Sequence, residues 1–555
     1  MNGDQPAPPA PVEILQRPIP WISRRRRTWA GVLIGTILAV YALSLSDHWY
    51  IGHDSALYLC LGRNLARGEG YTLAGQPHAH VPPAFPMLLA ALMRLGLGSF
   101  LAMNVVMGLL GLASAAAAHA VLRQLVHRDW AMVLTAVFAL SAVMVQTSGE
   151  ILSDVPFMLL VLTAFWLYLR GLRRTDPRRG GWEVAALLLV AACWFRIAGL
   201  PLVAGAVLGL LIACWRRAGS RAALSLAIVG IGILATFSIF EPAYLEAARS
   251  GGATYAGMLT HQPASFLSKW LIGPIQHLYA SSGQLSRLYL SPAVRLPGPL
   301  SMLLLVLPVL AAMIRRCRRM DTLGPVAVFF YVAALSFILK EIRTRYMLPI
   351  MPLLLVYLLE GYLVVGGALL RRWRQDRLAA VPMALAVVII ACNVPLVGRL
   401  ILQKSDSVNA IARKVPLVAR LIEQDGDYEW AQQKGLWQDQ YRAAVFLKTV
   451  ADPGTVILAD YPVAYLADLP CPAVSPQLLK ADLTGPQVDE LLARHRIAYF
   501  VFDPQDKANP PDKTNPPGKA INDHLAATTN PIFTSGRLRM YKVGPGSPRS
   551  SPFLP

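Results

Sequence analysis

Asp54 stands beside a long apolar segment of the sequence, where a charged side chain can do chemistry. It lies in the segment from His53 to Tyr58 (HDSALY), at the start of an amphipathic pattern that predicts a helix over 55–67. A carboxylate held there can act as a general base on an incoming hydroxyl or amine, with His53 and Tyr58 as substrate contacts. It can equally cap the helix by accepting hydrogen bonds from backbone amides. The residues alone leave both interpretations open.

Glu150 and Asp154 form a second acidic pair, in the segment GEILSDVP between two apolar runs. Their i, i+4 spacing places them on one helix face if that junction is helical. Carboxylates at a membrane boundary are costly unless they are solvated, paired or functional. We predict that Asp154 is catalytic and that Glu150 contacts substrate. The alternative is that both are solvated loop residues.

Three arginines lie near the same predicted membrane face as these carboxylates. Arg196 lies between two apolar runs, and Arg343 and Arg345 precede the segment YMLP. Arginine recognises phosphate oxygens with two parallel hydrogen bonds, so these side chains are candidates for binding a lipid phosphate. The alternative is contact with lipid head groups at the outer leaflet.

His261 lies in a predicted connecting segment, 242–296, that is unusually long and contains several aromatic residues. Loops of this length are often functional, and we predict that His261 contacts substrate. The aromatic rings can stack on a sugar or belong to the belt of aromatic residues at a membrane interface.

These residues are placed by a series of apolar runs that predict eleven membrane-spanning helices. A run of about 19 residues crosses a hydrocarbon core about 30 Å thick. The composition agrees, because 55% of the residues are hydrophobic, 15% are charged and the mean hydropathy is +0.45. The predicted spans are 28–46, 100–122, 130–147, 155–170, 182–198, 199–215, 222–240, 297–314, 323–339, 346–370 and 378–397.

Arginine-rich loops alternate with the acidic ones and predict the orientation of the chain. Loops that stay in the cytoplasm retain Lys and Arg, so the arginine clusters face inside and the carboxylates face outside. The net charge of +20 follows from this topology and does not indicate nucleic acid binding. The arginine clusters are 24–27, 123–128, 170–179, 216–221, 315–319 and 371–377.

Two apolar segments need separate treatment. The run 28–46 is too long for a signal-peptide core and lacks a following cleavage site, so it is predicted to be an anchor with its amino terminus in the cytoplasm. Pro82–Leu97 is short and begins with two prolines. A crossing there would reverse every later arginine cluster, so we predict a re-entrant or interfacial segment on the outer face.

The composition divides the chain into four regions. Residues 1–27 are predicted to be a disordered cytoplasmic tail, 28–399 a transmembrane domain, 400–545 a soluble extracytoplasmic domain and 546–555 a disordered tail. Helical spacing over 441–450 and strand patterns at 455–459, 497–502 and 538–543 predict a small α/β fold in the soluble region. The fold class is therefore an α-helical polytopic membrane protein with a small α/β domain outside the membrane.

The six cysteines show no spacing typical of a zinc or thiol redox site. Cys60 and Cys471 would both face an oxidising compartment, but nothing in the sequence favours a bridge between them. No cofactor is predicted, and a divalent cation has no support from the residues.

Six short motifs in order resemble those of the GT-C integral-membrane glycosyltransferases. The similarity is to the protein-O-mannosyltransferase and aminoarabinose-transferase-like group, glycosyltransferase family 39, and covers about residues 28–400. The motifs lie at Asp54–Tyr58, Asn64–Tyr71, Pro82–Pro86, Ser153–Pro156, Phe195–Leu200 and Arg345–Pro352.

The resemblance implies a polyprenyl-phosphate sugar as donor, used on the outer side of a bacterial-type inner membrane. Asp54 then matches the catalytic acid of the family's first loop and Asp154 matches its second acidic position. Many members have two adjacent acids in that loop, where this chain has His53-Asp54, and some have Lys before the Pro-Pro pair, where it has Val81. The implied reaction is a single displacement onto a protein, lipid or glycan acceptor.

Other functions are compatible with parts of the pattern. A lipid-linked-sugar transporter or flippase would show repeated halves and charges near the membrane midplane. A catalytically silent lipid-binding scaffold would tolerate loss of Asp54 and Asp154. A ligase of oligosaccharides or polymers would use a larger donor.

Overall fold

The structure is a computed structural model and consists mostly of helices. Two compact units divide the chain: 1–49, 99–241 and 256–412 form the first, and 50–98, 242–255 and 413–555 form the second. The structure describes residues 11–46, 49, 53–73, 76–78, 81–173, 181–197, 199–214, 227–232, 286–290, 296–319, 321–338, 344–369, 375–404, 429–452, 455–459, 461–469, 483–502, 519–535 and 538–543.

The first unit is built from apolar helices. Short 3-10 turns at Pro11–Gln16 and Thr344–Ile350 precede α1 and α13, and α11 contains a π-helical stretch at Met302–Val306. The helices are α1 (Pro20–Arg24), α2 (Arg26–Leu43), α5 (Phe100–Leu125), α6 (Arg128–Ala139), α7 (Ala142–Ser148), α8 (Asp154–Arg173), α9 (Trp182–Phe195), α10 (Gly199–Cys214), α11 (Gly298–Arg318), α12 (Leu323–Ile338), α13 (Met351–Leu369) and α14 (Gln375–Lys404). The second unit supplies α3 (His53–Arg67) and α4 (Ala84–Arg94) between α2 and α5.

Within the described residues, 5 helices are long and apolar enough to cross a membrane, or up to 6 if the bent pair α6–α7 counts as one span. Four further apolar helices are shorter. Nine of the predicted spans each overlap one helix, and 130–147 overlaps the bent pair α6–α7. Of 222–240 the structure describes only 227–232. The chain is a polytopic helical membrane protein, and the number of eleven crossings stays a prediction.

The break between α6 and α7 bends this pair by 61° and exposes backbone groups that other helices satisfy. Asn393 of α14 accepts a hydrogen bond from the Ala142 amide at 2.9 Å, and the Tyr41 hydroxyl of α2 donates to the Ala139 carbonyl at 3.3 Å. Ser141 caps α7 through its hydroxyl. Since an unpaired backbone group in hydrocarbon costs several kcal/mol, about 2–7 by transfer data, these contacts make the bend tolerable.

Residues 11–27 are folded, although the sequence predicted a disordered tail over 1–27. Leu15 and Ile22 are buried, and the fully buried Asp129 accepts hydrogen bonds from the Ile19 amide at 3.0 Å and from Arg26 at 2.8 Å. The proline-rich composition suggested a disordered tail up to residue 27, but several of its apolar side chains are buried and its backbone at Ile19 is hydrogen-bonded to Asp129 of α6.

The second unit combines α3 and α4 with a carboxyl-terminal α/β domain. The domain contains α15 (Glu429–Val450), β3 (Ile457–Leu458), α16 (Tyr461–Ala467), α17 (Gly485–Arg494), β4 (Tyr499–Phe502), α18 (Lys519–Thr528), β5 (Phe533–Ser535) and β6 (Leu538–Lys542). A two-residue hairpin, β1 (Thr72–Leu73) with β2 (Gln76–Pro77), follows α3. The sequence placed 50–98 with the transmembrane domain, whereas this loop packs with the carboxyl-terminal segment.

The sheet of the α/β domain has the strand order β3-β4-β6-β5. β3 and β4 run parallel, whereas β6 is antiparallel to both β4 and β5. Two apolar cores cover its faces, one against α15 and α16 and one against α17 and α18. The predicted strands at 455–459, 497–502 and 538–543 correspond to β3, β4 and β6, and β5 was not predicted.

Candidate active site

Asp54 lies in the first turn of α3 and is partly exposed. The residues of α3 that follow it, 55–62, are buried, and Leu59 and Leu61 are fully inaccessible. Gly62 allows α4 to approach closely, because a Cβ at this position would lie 3.0 Å from the Leu89 Cβ. α3 therefore presents Asp54 from a firmly packed helix, as a positioned general base requires.

Tyr58 and His53 are the two neighbours of Asp54 that were predicted to contact substrate. The Tyr58 ring is buried and packs edge-on against Phe85 of α4, with ring centroids 5.0 Å apart. This placement favours a packing role for Tyr58. His53 begins α3, and its side chain is outside the described set.

Asp154 lies at the start of α8 in the first unit, where it forms a buried ion pair. Arg196 Nη1 lies 2.6 Å from Asp154 Oδ2 and donates a second hydrogen bond to the Ser153 hydroxyl at 3.2 Å. Arg345 Nε approaches the same carboxylate oxygen at 4.0 Å. Arg196 follows α9 and Arg345 lies in the 3-10 turn before α13, so three separate elements bring these charges together.

Tyr346 completes this arrangement and was not singled out as a site residue from the sequence. The guanidinium carbons of Arg196 and Arg345 lie 4.8 Å and 5.3 Å from its ring centroid, within the range of cation–π contacts. The Tyr331 hydroxyl of α12 fixes the backbone by donating to the Tyr346 carbonyl at 2.8 Å. Asp154, Arg196, Arg345 and Tyr346 are called the aspartate–arginine cluster below.

Glu150 does not share a helix face with Asp154. α7 ends at Ser148 and α8 begins at Asp154, so the junction is not helical. Pro156 stands in the first turn of α8, where proline is tolerated, and a helix continued backwards would clash with its ring. Glu150 is buried and accepts a hydrogen bond from Gln146 at 3.0 Å.

Two predicted site residues, Arg343 and His261, lie outside the described residues. Among the residues that the structure does describe, there is no group of three or more His, Cys, Asp or Glu side chains that could hold a metal ion.

Two guanidinium groups of the cluster lie close to one carboxylate. The side chains of Arg196 and Arg345 are only 14% and 15% exposed. A guanidinium group can donate two parallel hydrogen bonds to an anion with several oxygens, such as a phosphate.

Comparisons with known proteins give a structural likeness. No family model matches the chain, and no curated protein sequence gives a significant match. The structure is similar to ArnT from Cupriavidus metallidurans in the apo state, with a TM-score of 0.54, 15% identity and coverage of 93% of this chain and 98% of that one. The same protein bound to undecaprenyl phosphate gives a TM-score of 0.50, 15% identity and coverage of 92% and 97%.

A second similar structure comes from an archaeal protein. The oligosaccharyltransferase of Archaeoglobus fulgidus in complex with Zn and sulfate gives a TM-score of 0.52 and 11% identity. The likeness covers 84% of this chain and 67% of that one. At these identities, the comparisons show a shared fold.

Proposed function

We propose that this chain, which has the GT-C fold of integral-membrane glycosyltransferases, transfers a sugar from a polyprenyl-phosphate donor to an acceptor outside the membrane. The observation that carries the proposal is the aspartate–arginine cluster, in which three separate elements bring two guanidinium groups to one carboxylate. A neighbour with this fold is bound to undecaprenyl phosphate, which is an anion of the chemistry that such a site would hold.

In the proposed reaction, the acceptor oxygen or nitrogen attacks the anomeric carbon of the sugar. The bond from that carbon to the phosphate oxygen breaks, and its electron pair leaves with polyprenyl phosphate. Asp54 takes the proton of the acceptor, since a partly exposed carboxylate on a rigid helix can meet an incoming group. The leaving group is already an anion, so the reaction needs little acid catalysis.

Arg196 and Arg345 stabilise the charge that develops on the leaving phosphate. Donors that are already oriented are most effective at this task, because they need no reorganisation during the reaction. Asp154 holds Arg196 in place through their 2.6 Å contact and acts as a positioning residue in this scheme. Arg343 is proposed to assist in phosphate binding, and His53, Glu150 and His261 in binding the sugar or acceptor.

The proposed location is a bacterial-type inner membrane, with the amino terminus in the cytoplasm and the α/β domain outside. The arginine-rich loops support this orientation through the positive-inside rule. Labelling of single introduced cysteines with a membrane-impermeant reagent tests it. Labelling at Ser551 but not at Ser23 in intact spheroplasts is expected, and the reverse pattern would overturn the orientation.

Purified protein reconstituted in liposomes tests the reaction. A panel of polyprenyl-phosphate sugars is supplied, and the release of free polyprenyl phosphate is followed for the wild type and for Asp54→Asn. Asp489→Asn is the matched control, because Asp489 is an exposed carboxylate of the α/β domain. Release by the wild type and the control, but not by Asp54→Asn, is the expected result. Tight binding of a donor without release by any form would support a lipid-binding or transport function instead.

A further inference from the structure

One carboxylate of the α/β domain joins two arginines of α3. Asp468, which directly follows α16, lies 2.7 Å from Arg63 Nη1 through Oδ1 and 2.6 Å from Arg67 Nη2 through Oδ2. Arg63 and Arg67 are four residues apart and therefore lie on the same side of α3. Arg63, Arg67 and Asp468 are called the α3–α16 clamp below.

The end of α16 is shaped to receive this contact. Asp468 has a φ of 60°, in the left-handed region that commonly ends a helix and that Asp and Asn tolerate. Arg63 Nη1 also donates to the carbonyl of Tyr465 at 3.0 Å. A cation is favoured at the carboxyl end of a helix, where the backbone carbonyls point outward.

Apolar packing surrounds the charged groups. Tyr465 packs against a cluster of Leu57, Cys60 and Leu61 from α3, and the Arg63 guanidinium lies 5.2 Å from its ring centroid. Burial raises the pKa of the Tyr465 hydroxyl to about 12 and that of the Cys60 thiol to about 11. The apolar part of the contact between α3 and α16 is therefore buried, whereas Arg67 and Asp468 are partly exposed.

Asp468 is charged within this contact. Burial raises the pKa of its carboxyl group, but the hydrogen bond from Arg67 and the charges of Arg63 and Arg67 outweigh burial and lower the pKa below its ordinary value. The carboxylate is therefore ionised at neutral pH and attracts both guanidinium groups.

We infer that Asp468 is a positioning residue for Asp54, because it fixes the rotation and placement of α3 from the α/β domain. The inference rests on the proposed function and assigns a role to that domain. Arg63 lies nine residues after Asp54, roughly 14 Å along the same helix. A shift of about 1 Å at a catalytic group can lower a rate by about 10²-fold, so a hold on α3 matters to the reaction.

A second set of contacts limits the expected effect. Arg94 of α4 donates to the carbonyls of Leu65 at 2.8 Å and Ala66 at 3.2 Å, at the carboxyl end of α3. Loss of the clamp should therefore loosen α3 without detaching it.

The test compares Asp468→Asn with Asp489→Asn in the full-length protein. Asn occupies nearly the same volume as Asp and tolerates a φ of 60°, so Asp468→Asn removes charge without straining the backbone. Asp489 contacts His524 within the α/β domain and serves as the control. Amide hydrogen exchange over residues 53–67 reports the hold on α3, and donor turnover gives kcat and KM.

We expect Asp468→Asn to speed exchange in α3 by about fivefold and to lower kcat by about fivefold, as the loss of partly screened charged hydrogen bonds would do. KM for the donor should not change, and the control should change neither exchange nor kcat. The double variant Arg63→Gln/Arg67→Gln should give the same effects, and adding Asp468→Asn should have no further effect.

Unchanged exchange in α3, or exchange that rises equally in the control, would overturn the inference. Faster exchange with an unchanged kcat would also overturn it, because α3 would then be held without consequence for the reaction. If no donor is turned over by the wild type, the proposed function fails, whereas the exchange measurement still decides whether Asp468 holds α3.

Discussion

Two regions of the molecule place one aspartate between two arginines, in very different surroundings. In the aspartate–arginine cluster, the side chain of Asp154 is 5% exposed. In the α3–α16 clamp, the side chain of Asp468 is 42% exposed. Attraction between charges is stronger where water is excluded, but removal of water from each ion also costs more. The buried cluster is therefore intolerant of losing one member, whereas the clamp can lose charge at a small cost.

Asp154→Ala tests this contrast with the largest expected effect. Arg196 would be left buried without its carboxylate, which typically costs about 3–5 kcal/mol. We expect a clearly lower unfolding temperature in detergent and a loss of about 100-fold or more in polyprenyl phosphate release. Arg196→Gln/Asp154→Asn should recover part of the stability but not the release. Full activity of Asp154→Ala would contradict the role of the cluster.

Arg345→Gln should affect donor binding more than stability. Arg345 lies 4.0 Å from Asp154, so the ion pair with Arg196 remains when it is replaced. Loss of a charged hydrogen bond to a phosphate predicts about a tenfold weaker affinity for polyprenyl phosphate. Binding of the lipid to wild type and variant measures this. Equal affinities with equal release would assign the phosphate site to other residues.

Tyr346→Leu tests the cluster further, because the Tyr346 ring lies close to the guanidinium groups of both Arg196 and Arg345. Loss of two cation–π contacts worth about 0.5–2 kcal/mol each predicts a several-fold weaker affinity for the lipid. Tyr346→Phe keeps the ring face and is the control. A loss in Tyr346→Phe as large as in Tyr346→Leu would assign the effect to the hydroxyl.

Salt and acid should weaken the clamp, and this is the smallest of the expected effects. Exposed ion pairs contribute about 0.2–1 kcal/mol and are screened as the ionic strength rises. The pKa of Asp468 is lowered in the folded protein, so its contribution is complete above the unfolded pKa of about 3.9. It is lost as the pH falls below that value through the folded pKa. Hydrogen exchange of α3 in the wild type and in Asp468→Asn, over a range of pH and ionic strength, measures this contribution. An identical response of the wild type and the variant would contradict the prediction.

The sequence allowed the apolar helices to be predicted, because the length and hydropathy of a run are local properties. It also indicated that Asp154, Arg196 and Arg345 are unusual. Their mutual contact was not predicted, because it depends on three elements that are distant in the chain. The conditional placement of Glu150 beside Asp154 failed at Pro156, which local inspection could have detected.

The clamp illustrates a second kind of limit. Arg63 and Arg67 lie in the helix that was predicted over 55–67, but Asp468 carries no local signal beyond the end of a short helix. The two-residue strand β3 and the three-residue strand β5 are likewise defined by pairing with distant partners. Contacts of this kind depend on the folded chain, and periodicity does not encode them.

The clamp cannot form during biosynthesis until both Arg67 and Asp468 have been made. Arg67 and Asp468 are 401 residues apart. At a synthesis rate of about 5–20 residues per second, Asp468 is made roughly 20–80 seconds after Arg67. During that interval, the helix that carries Asp54 is made but not held by α16. The segment that contains α3 is thus most accessible to proteases until residue 468 has been made.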